Sequence, residues 1–96
     1  MKPARFRLEA EADVAAAFEW YERQRPGLGD AFRHALDIAV AAVEDHPEGY
    51  AVLYRNTRRA LLPRFPYGLY YRILDDNIAV VAVLHGKRHP RRWRSR

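Results

Sequence analysis

Apolar residues recur at three- and four-residue steps from Ala10 to Val43 and at two-residue steps from Tyr50 to His85. That single change of period restricts the chain to helices laid against a sheet. Ala10, Val14, Ala17, Phe18 and Tyr21 share one helical face, and Glu11, Asp13, Glu19, Glu22 and Arg23 mostly take the remaining positions. Alanines 10, 12, 15, 16 and 17 favour helix because they lose no side-chain freedom on folding. Glu9, Glu11 and Asp13 lie near the start, where negative charge suits the helix dipole. Pro26-Gly27 breaks this helix, and a second begins near Leu28 or Asp30. Leu28, Phe32, Ala35, Leu36, Ala39, Val40 and Val43 make its apolar stripe, and His46-Pro47 ends it. So short a linker predicts an antiparallel helix hairpin.

The flanking segments read as strands. Residues 4–8 alternate apolar and basic, the pattern of a short half-buried strand. Ala51-Val52-Leu53-Tyr54 reads as a short strand or an extended lead-in, and Arg58 to Leu62 as a strand stopped at Pro63. Tyr67 to Leu74 is rich in aromatic and branched residues. On it Tyr67, Leu69, Tyr71 and Ile73 form the expected core face, while Tyr70 and Arg72 share the other. Asp75-Asp76-Asn77 reads as a hairpin turn. Strict alternation from Ile78 to His85 places Ile78, Val80, Ala82 and Leu84 on one face and Ala79, Val81, Val83 and His85 on the other. Both sets are largely apolar, so this strand is expected at the centre. Gly86 onward reads as loop and basic tail. The predicted fold is α+β: a short N-terminal strand and an antiparallel helix hairpin, packed on a mainly antiparallel sheet completed by three C-terminal strands, within one domain spanning 1–96.

Composition narrows the function. The 96 residues suffice for one modest core. Without cysteine there is neither a disulfide nor a thiolate metal site, which fits a cytoplasmic location. No apolar run is long enough for a signal peptide or a membrane span, so no membrane partner is expected. Residues 1–50 carry six Lys/Arg against ten Asp/Glu, and residues 51–96 carry eleven against two. The net +5 is therefore concentrated in a C-terminal half suited to a polyanion or an acidic partner.

The run Arg58-Arg59-Ala60-Leu61-Leu62-Pro63-Arg64-Phe65-Pro66-Tyr67-Gly68-Leu69-Tyr70-Tyr71-Arg72 resembles a characteristic segment of RelE/ParE toxins. Ile78 to Arg88 is similar to their closing strand, and Glu19-Trp20-Tyr21 with Arg25-Pro26-Gly27-Leu28-Gly29 resembles their helix hairpin. The resemblance covers nearly the whole chain. It implies a toxin of a type II toxin–antitoxin system, held in a hetero-oligomer by a ParD-like antitoxin. RelE members cleave messenger RNA in the ribosomal A site, whereas ParE members poison DNA gyrase. Nuclease relatives often carry a tyrosine near the C-terminus, but here Gly86 follows His85 and the tail holds Trp93 and no tyrosine. The ParE-like branch is therefore favoured, and no cofactor is expected.

Three residue sets follow. Under the nuclease alternative, His85 would act as general acid or base, and Arg59, Arg64 and Arg88 would hold the phosphate. The opposing reading has His85 bonding locally at the sheet edge. Arg58, Arg72, Lys87, Arg91, Arg92 and Trp93 are candidates for binding a target or a nucleic acid, although Trp93 could equally fold back as an anchor. Trp20, Tyr21, Phe32 and Leu36 are candidates for binding the antitoxin, which would lie along the hairpin and the sheet. His85 and His89 have the i, i+4 spacing of a helical metal pair, but Pro90 and the strand context argue against a metal site.

Overall fold

The computed structural model describes residues 1–86 and 90–96. The elements are β1 (Ala4–Phe6), α1 (Leu8–Gln24), α2 (Leu28–Asp45), a single 3₁₀ turn (Pro47–Gly49), β2 (Val52–Tyr54), β3 (Thr57–Leu61), β4 (Tyr67–Ile73), β5 (Ile78–His85) and α3 (Pro90–Arg94). One five-stranded sheet runs β1-β5-β4-β3-β2. β1 pairs parallel to β5, and the other neighbours are antiparallel. The α+β reading holds, with both predicted helices laid over one sheet face.

The helical turn is built around one carboxylate. Gly27 adopts φ +90, which a side chain would strain, and starts α2. Its amide and that of Gly29 each donate to Glu22 at 3.0 Å. A Cβ on Gly29 would stand 2.9 Å from the Phe18 carbonyl oxygen, so glycine lets the two helices approach there.

Ala10, Val14 and Ala17 of α1 and Phe32, Ala35, Leu36, Ala39 and Val43 of α2 are buried against Ala60, Leu69, Tyr71, Ile78, Val80 and Val83. Tyr21, Phe32, Phe65 and Tyr67 knit one end of this core, with ring centroids 4.9–5.9 Å apart. At the other end the Tyr71 hydroxyl donates to the Pro47 carbonyl at 2.6 Å. Burial, the larger influence, pushes the Tyr71 phenol up to about 12 against the opposing pull of Arg58.

Three expectations are corrected. First, the N-terminal strand stops at Phe6, and Leu8, 80% exposed, already begins α1. Second, β5 does not alternate strictly. Tyr70 pairs with Ala82 but Tyr71 with Val80, so Val81 is an extra residue. This β-bulge reverses the phase beyond Val80. Val83 joins Ile78 and Val80 under the helices, while Val81, Ala82 and Leu84 face the other side. Third, the segment read as basic tail contains a helix: Pro90–Arg94 form α3, and Trp93 is buried in a second cluster with Tyr70, Val81, Ala82 and Leu84.

Candidate functional site

The face of the sheet away from α1 and α2 brings Arg55, Arg59 and Arg72 together with the tail. The Trp93 ring stacks on Tyr70, with centroids 4.8 Å apart and planes at 19°, and meets Tyr54 edge-on. Arg55 and Arg94 each place a guanidinium over the Tyr54 ring, at 5.4 and 5.1 Å. Arg59, opposite Tyr70 in the register, lines a depression of about 270 Å³ with Leu53, Tyr70, Gly86, Trp93 and Arg94. Gly68 makes room there: an added Cβ would lie 2.9 Å from the Arg59 side chain and 3.2 Å from the Tyr70 ring. The Tyr70 hydroxyl is buried with no hydrogen-bond partner among the described residues.

Arg72 donates from Nε to the Thr57 hydroxyl at 3.0 Å and from Nη1 to the Arg96 carbonyl at 3.2 Å. Arg7 donates to the same carbonyl at 3.2 Å. Burial, and then repulsion from Arg7, lowers the proton affinity of the Arg72 guanidinium below that of an ordinary arginine. The Arg96 side chain rounds the sheet edge to the helix side. Its guanidinium grips both carboxylate oxygens of Asp13 and donates to the Val81 carbonyl at 3.1 Å. Arg92 approaches the same carboxylate at 3.5 Å.

Asp13 also accepts the Val83 amide at 3.0 Å. The shortness of β1 explains this arrangement. β1 pairs only as far as Val80, and the Arg7 amide takes the Val80 carbonyl at 3.0 Å. Past that point the edge groups of β5 meet no strand, so Asp13 and Arg96 supply the missing acceptor and donor. Asp13 was expected among the solvated charges at the start of α1, yet it is 7% exposed. The sequence held a signal. Three residues after Ala10 and four before Ala17, Asp13 lies on the apolar stripe itself.

The described members of the nuclease set line different depressions. His85, half-buried with its ring 5.8 Å from that of Tyr67, lines a depression of about 390 Å³ with Asp13, Trp20, Leu84 and Arg92. Arg59 lies in the separate depression described above. Arg64, in the left-handed region at φ 69, borders a third against α2. Arg88 and Lys87 lie outside the described residues, as does His89. Among the described residues no group of three or more His, Asp or Glu side chains could hold a metal ion, and no helix is long and apolar enough to cross a membrane.

The binding candidates divide as well. Arg58 faces the helices and donates to the Tyr50 carbonyl at 2.7 Å and the Glu48 carbonyl at 3.3 Å, a bracing role. Arg91, Arg92 and Arg94 are exposed on α3, whereas Trp93 is the buried anchor. Trp20 is 51% exposed and edge-on to half-buried Tyr21. Phe32 and Leu36 are buried in the main core.

Sequence reasoning missed an apolar groove of about 760 Å³ between α2 and residues 63–66. Leu28, Ala31, Ile38, Phe65 and Pro66 line it, and Arg25 and Arg64 stand among them. Ile38 is 48% exposed and falls outside the stripe of α2, which was the available sign.

A family model described as "ParE toxin of type II toxin-antitoxin system, parDE" matches residues 4–90. Toxin ParE2 of Mycobacterium tuberculosis, present in two strains, is 30% identical over 81 residues, covering 83% of this chain and 77% of the relative. The solved structure titled "Chromosomal ParDE TA system from P. aeruginosa" matches with a TM-score of 0.78 at 17% identity, over 88% of this chain and 96% of that one. At that identity the likeness speaks for the fold.

Proposed function

This chain belongs to the ParE toxins of type II toxin–antitoxin systems, and from that premise we propose that it arrests growth by binding DNA gyrase and is silenced by a ParD-like antitoxin. The observation that carries this reading is that the described nuclease candidates do not share one depression. His85, Arg59 and Arg64 line three different depressions. A general acid and the cations that neutralise a phosphorane must converge within hydrogen-bond reach of one phosphate. What the domain offers instead is protein-binding surface: exposed guanidiniums on α3 over one sheet face, and an apolar groove against α2 on the other.

The antitoxin is assigned to the α2 side. Leu28, Ile38 and Phe65 form the apolar floor, Arg25 and Arg64 supply positive charge, and exposed Trp20 stands beyond Tyr21. An amphipathic segment that folds on binding, with acidic residues beside its apolar stripe, fits this chemistry. The gyrase contact is assigned to Arg91, Arg92 and Arg94 together with Arg59.

The test is expression of the chain with and without its antitoxin, combining a gyrase supercoiling assay with mapping of transcript ends. Gyrase-dependent DNA breaks with intact transcripts, relieved by the antitoxin, are the expected outcome. In-frame cuts at codons on translating ribosomes would replace this reading with ribosome-dependent cleavage of messenger RNA.

A further inference from the structure

Residues 90–96 are held from both sides of the sheet, and apart from Trp93 their attachments are polar or cation–π: the Arg96 carbonyl accepts from Arg7 and Arg72, the Arg96 side chain binds Asp13 and the Val81 carbonyl, and Arg94 lies over Tyr54. α3 has five residues, too few to persist as a helix in water without docking. On the outer face its anchor is Trp93 on Tyr70. Around the sheet edge its anchor is the Asp13 carboxylate, which binds Arg96 through both oxygens and lies near Arg92. Asp13 is the carboxylate paired with both arginines, and it comes from α1, a different layer. The docked state also carries a penalty. Among the described residues it buries the Tyr70 hydroxyl with no hydrogen-bond partner, a group that water would satisfy were the segment lifted. A short helix, one ionic latch and an unsatisfied hydroxyl beneath the lid together describe a two-state element.

We propose that residues 90–96 are a strap latched by Asp13, with a closed form as seen here and an open form that detaches as a cationic arm. Opening releases Arg92 and Arg96 from Asp13 and bares Tyr70, Val81, Ala82 and Leu84 on the outer face. α1, α2 and the sheet they cover keep their own core throughout. Asp13 is thus a positioning residue: it sets how much of the time the basic segment lies flat.

Hydrogen exchange on the full chain tests this through two substitutions of opposite sign. Asp13→Asn keeps an acceptor for the Val83 amide but removes the charge that holds Arg96. The Ser95 and Arg96 amides, bonded in the closed form to the Arg91 and Trp93 carbonyls, should exchange at least tenfold faster, while β4 amides keep their rates. Tyr70→Phe removes the unsatisfied hydroxyl and should slow the same two amides several-fold. In a Trp20→Phe background, Trp93 emission should shift red and quench more readily in the Asp13→Asn protein. Three results would each overturn the strap: unchanged Ser95 and Arg96 rates in Asp13→Asn, equal acceleration of β4 and the tail, or faster tail exchange in Tyr70→Phe.

Discussion

The sheet has two covered faces, and they are covered by different means. On one, α1 and α2 contribute eight buried side chains spaced along two long stripes, locked by interleaved aromatic rings. On the other, a five-residue helix contributes a single buried side chain, Trp93. Dispersion and apolar burial sum over area, so the first face behaves as one cooperative unit and the second depends on a few attachments. Charge follows the same division. Arg58 is spent bracing the 3₁₀ turn under the helices, while Arg59 and Arg72, on the other face, lie beside the tail. Stability is concentrated on the helix side of the sheet, while the exposed arginines of α3 stand on the thinly covered side.

Substitutions that separate the faces should rank accordingly. Phe32→Ala empties the centre of the aromatic cluster and should cost about 3–5 kcal/mol in urea unfolding, with helix and sheet signals lost together. Trp93→Ala should cost about 2 kcal/mol and leave far-UV helicity nearly intact, since it uncovers only the thin side. A loss equal to that of Phe32→Ala would erase the distinction between the faces. Arg58→Ala leaves the Tyr50 and Glu48 carbonyls without their donor and should cost about 1–2 kcal/mol.

Tyr71 sharpens the contrast by pH. Its folded pKa is raised to about 12 from the ordinary 10, so its contribution is complete below pH 10 and is lost as pH climbs through 12. Stability against alkali should fall across that window, and Tyr71→Phe should flatten the fall; an unchanged slope would mean the phenol does not report on the core. The smallest effect on folding is expected at the surface. Ile38→Lys should change stability by less than about 0.5 kcal/mol yet weaken antitoxin capture measurably in a pull-down with the purified pair. Undiminished capture would remove the α2 groove from the antitoxin surface.

Much of the main core was readable because period and burial coincide. Each residue from Phe32 to Val43 assigned to the α2 stripe is buried or nearly so, and Leu69 and Tyr71 face the helices as alternation requires. Tyr70 was read as facing away from that core, and it does, but its complete burial depends on Trp93, brought from 23 positions along the chain by a segment read as loop. The β5 faces failed beyond Val80 because an extra residue opposes β4 there, and no feature of Val80-Val81-Ala82 marks a bulge. Among the antitoxin candidates, Trp20 lies off the stripe and is exposed, whereas Phe32 and Leu36 lie on it, and that position buries them.

Period and turn signals together determined that this chain would place two helices over a largely antiparallel sheet, because side-chain direction repeats every 3.6 residues in a helix and every two in a strand, and short turns join neighbouring strands antiparallel. The lopsided charge, likewise, could be counted without coordinates. Only the tertiary structure decided that Asp13 meets Arg96, that Arg58 and Arg59 part to opposite faces with different duties, and that His85, Arg59 and Arg64 line different depressions. Those pairings join residues as many as 83 positions apart, where local geometry carries no information and the outcome rests on how the layers dock and where a short strand leaves its neighbour's edge unpaired.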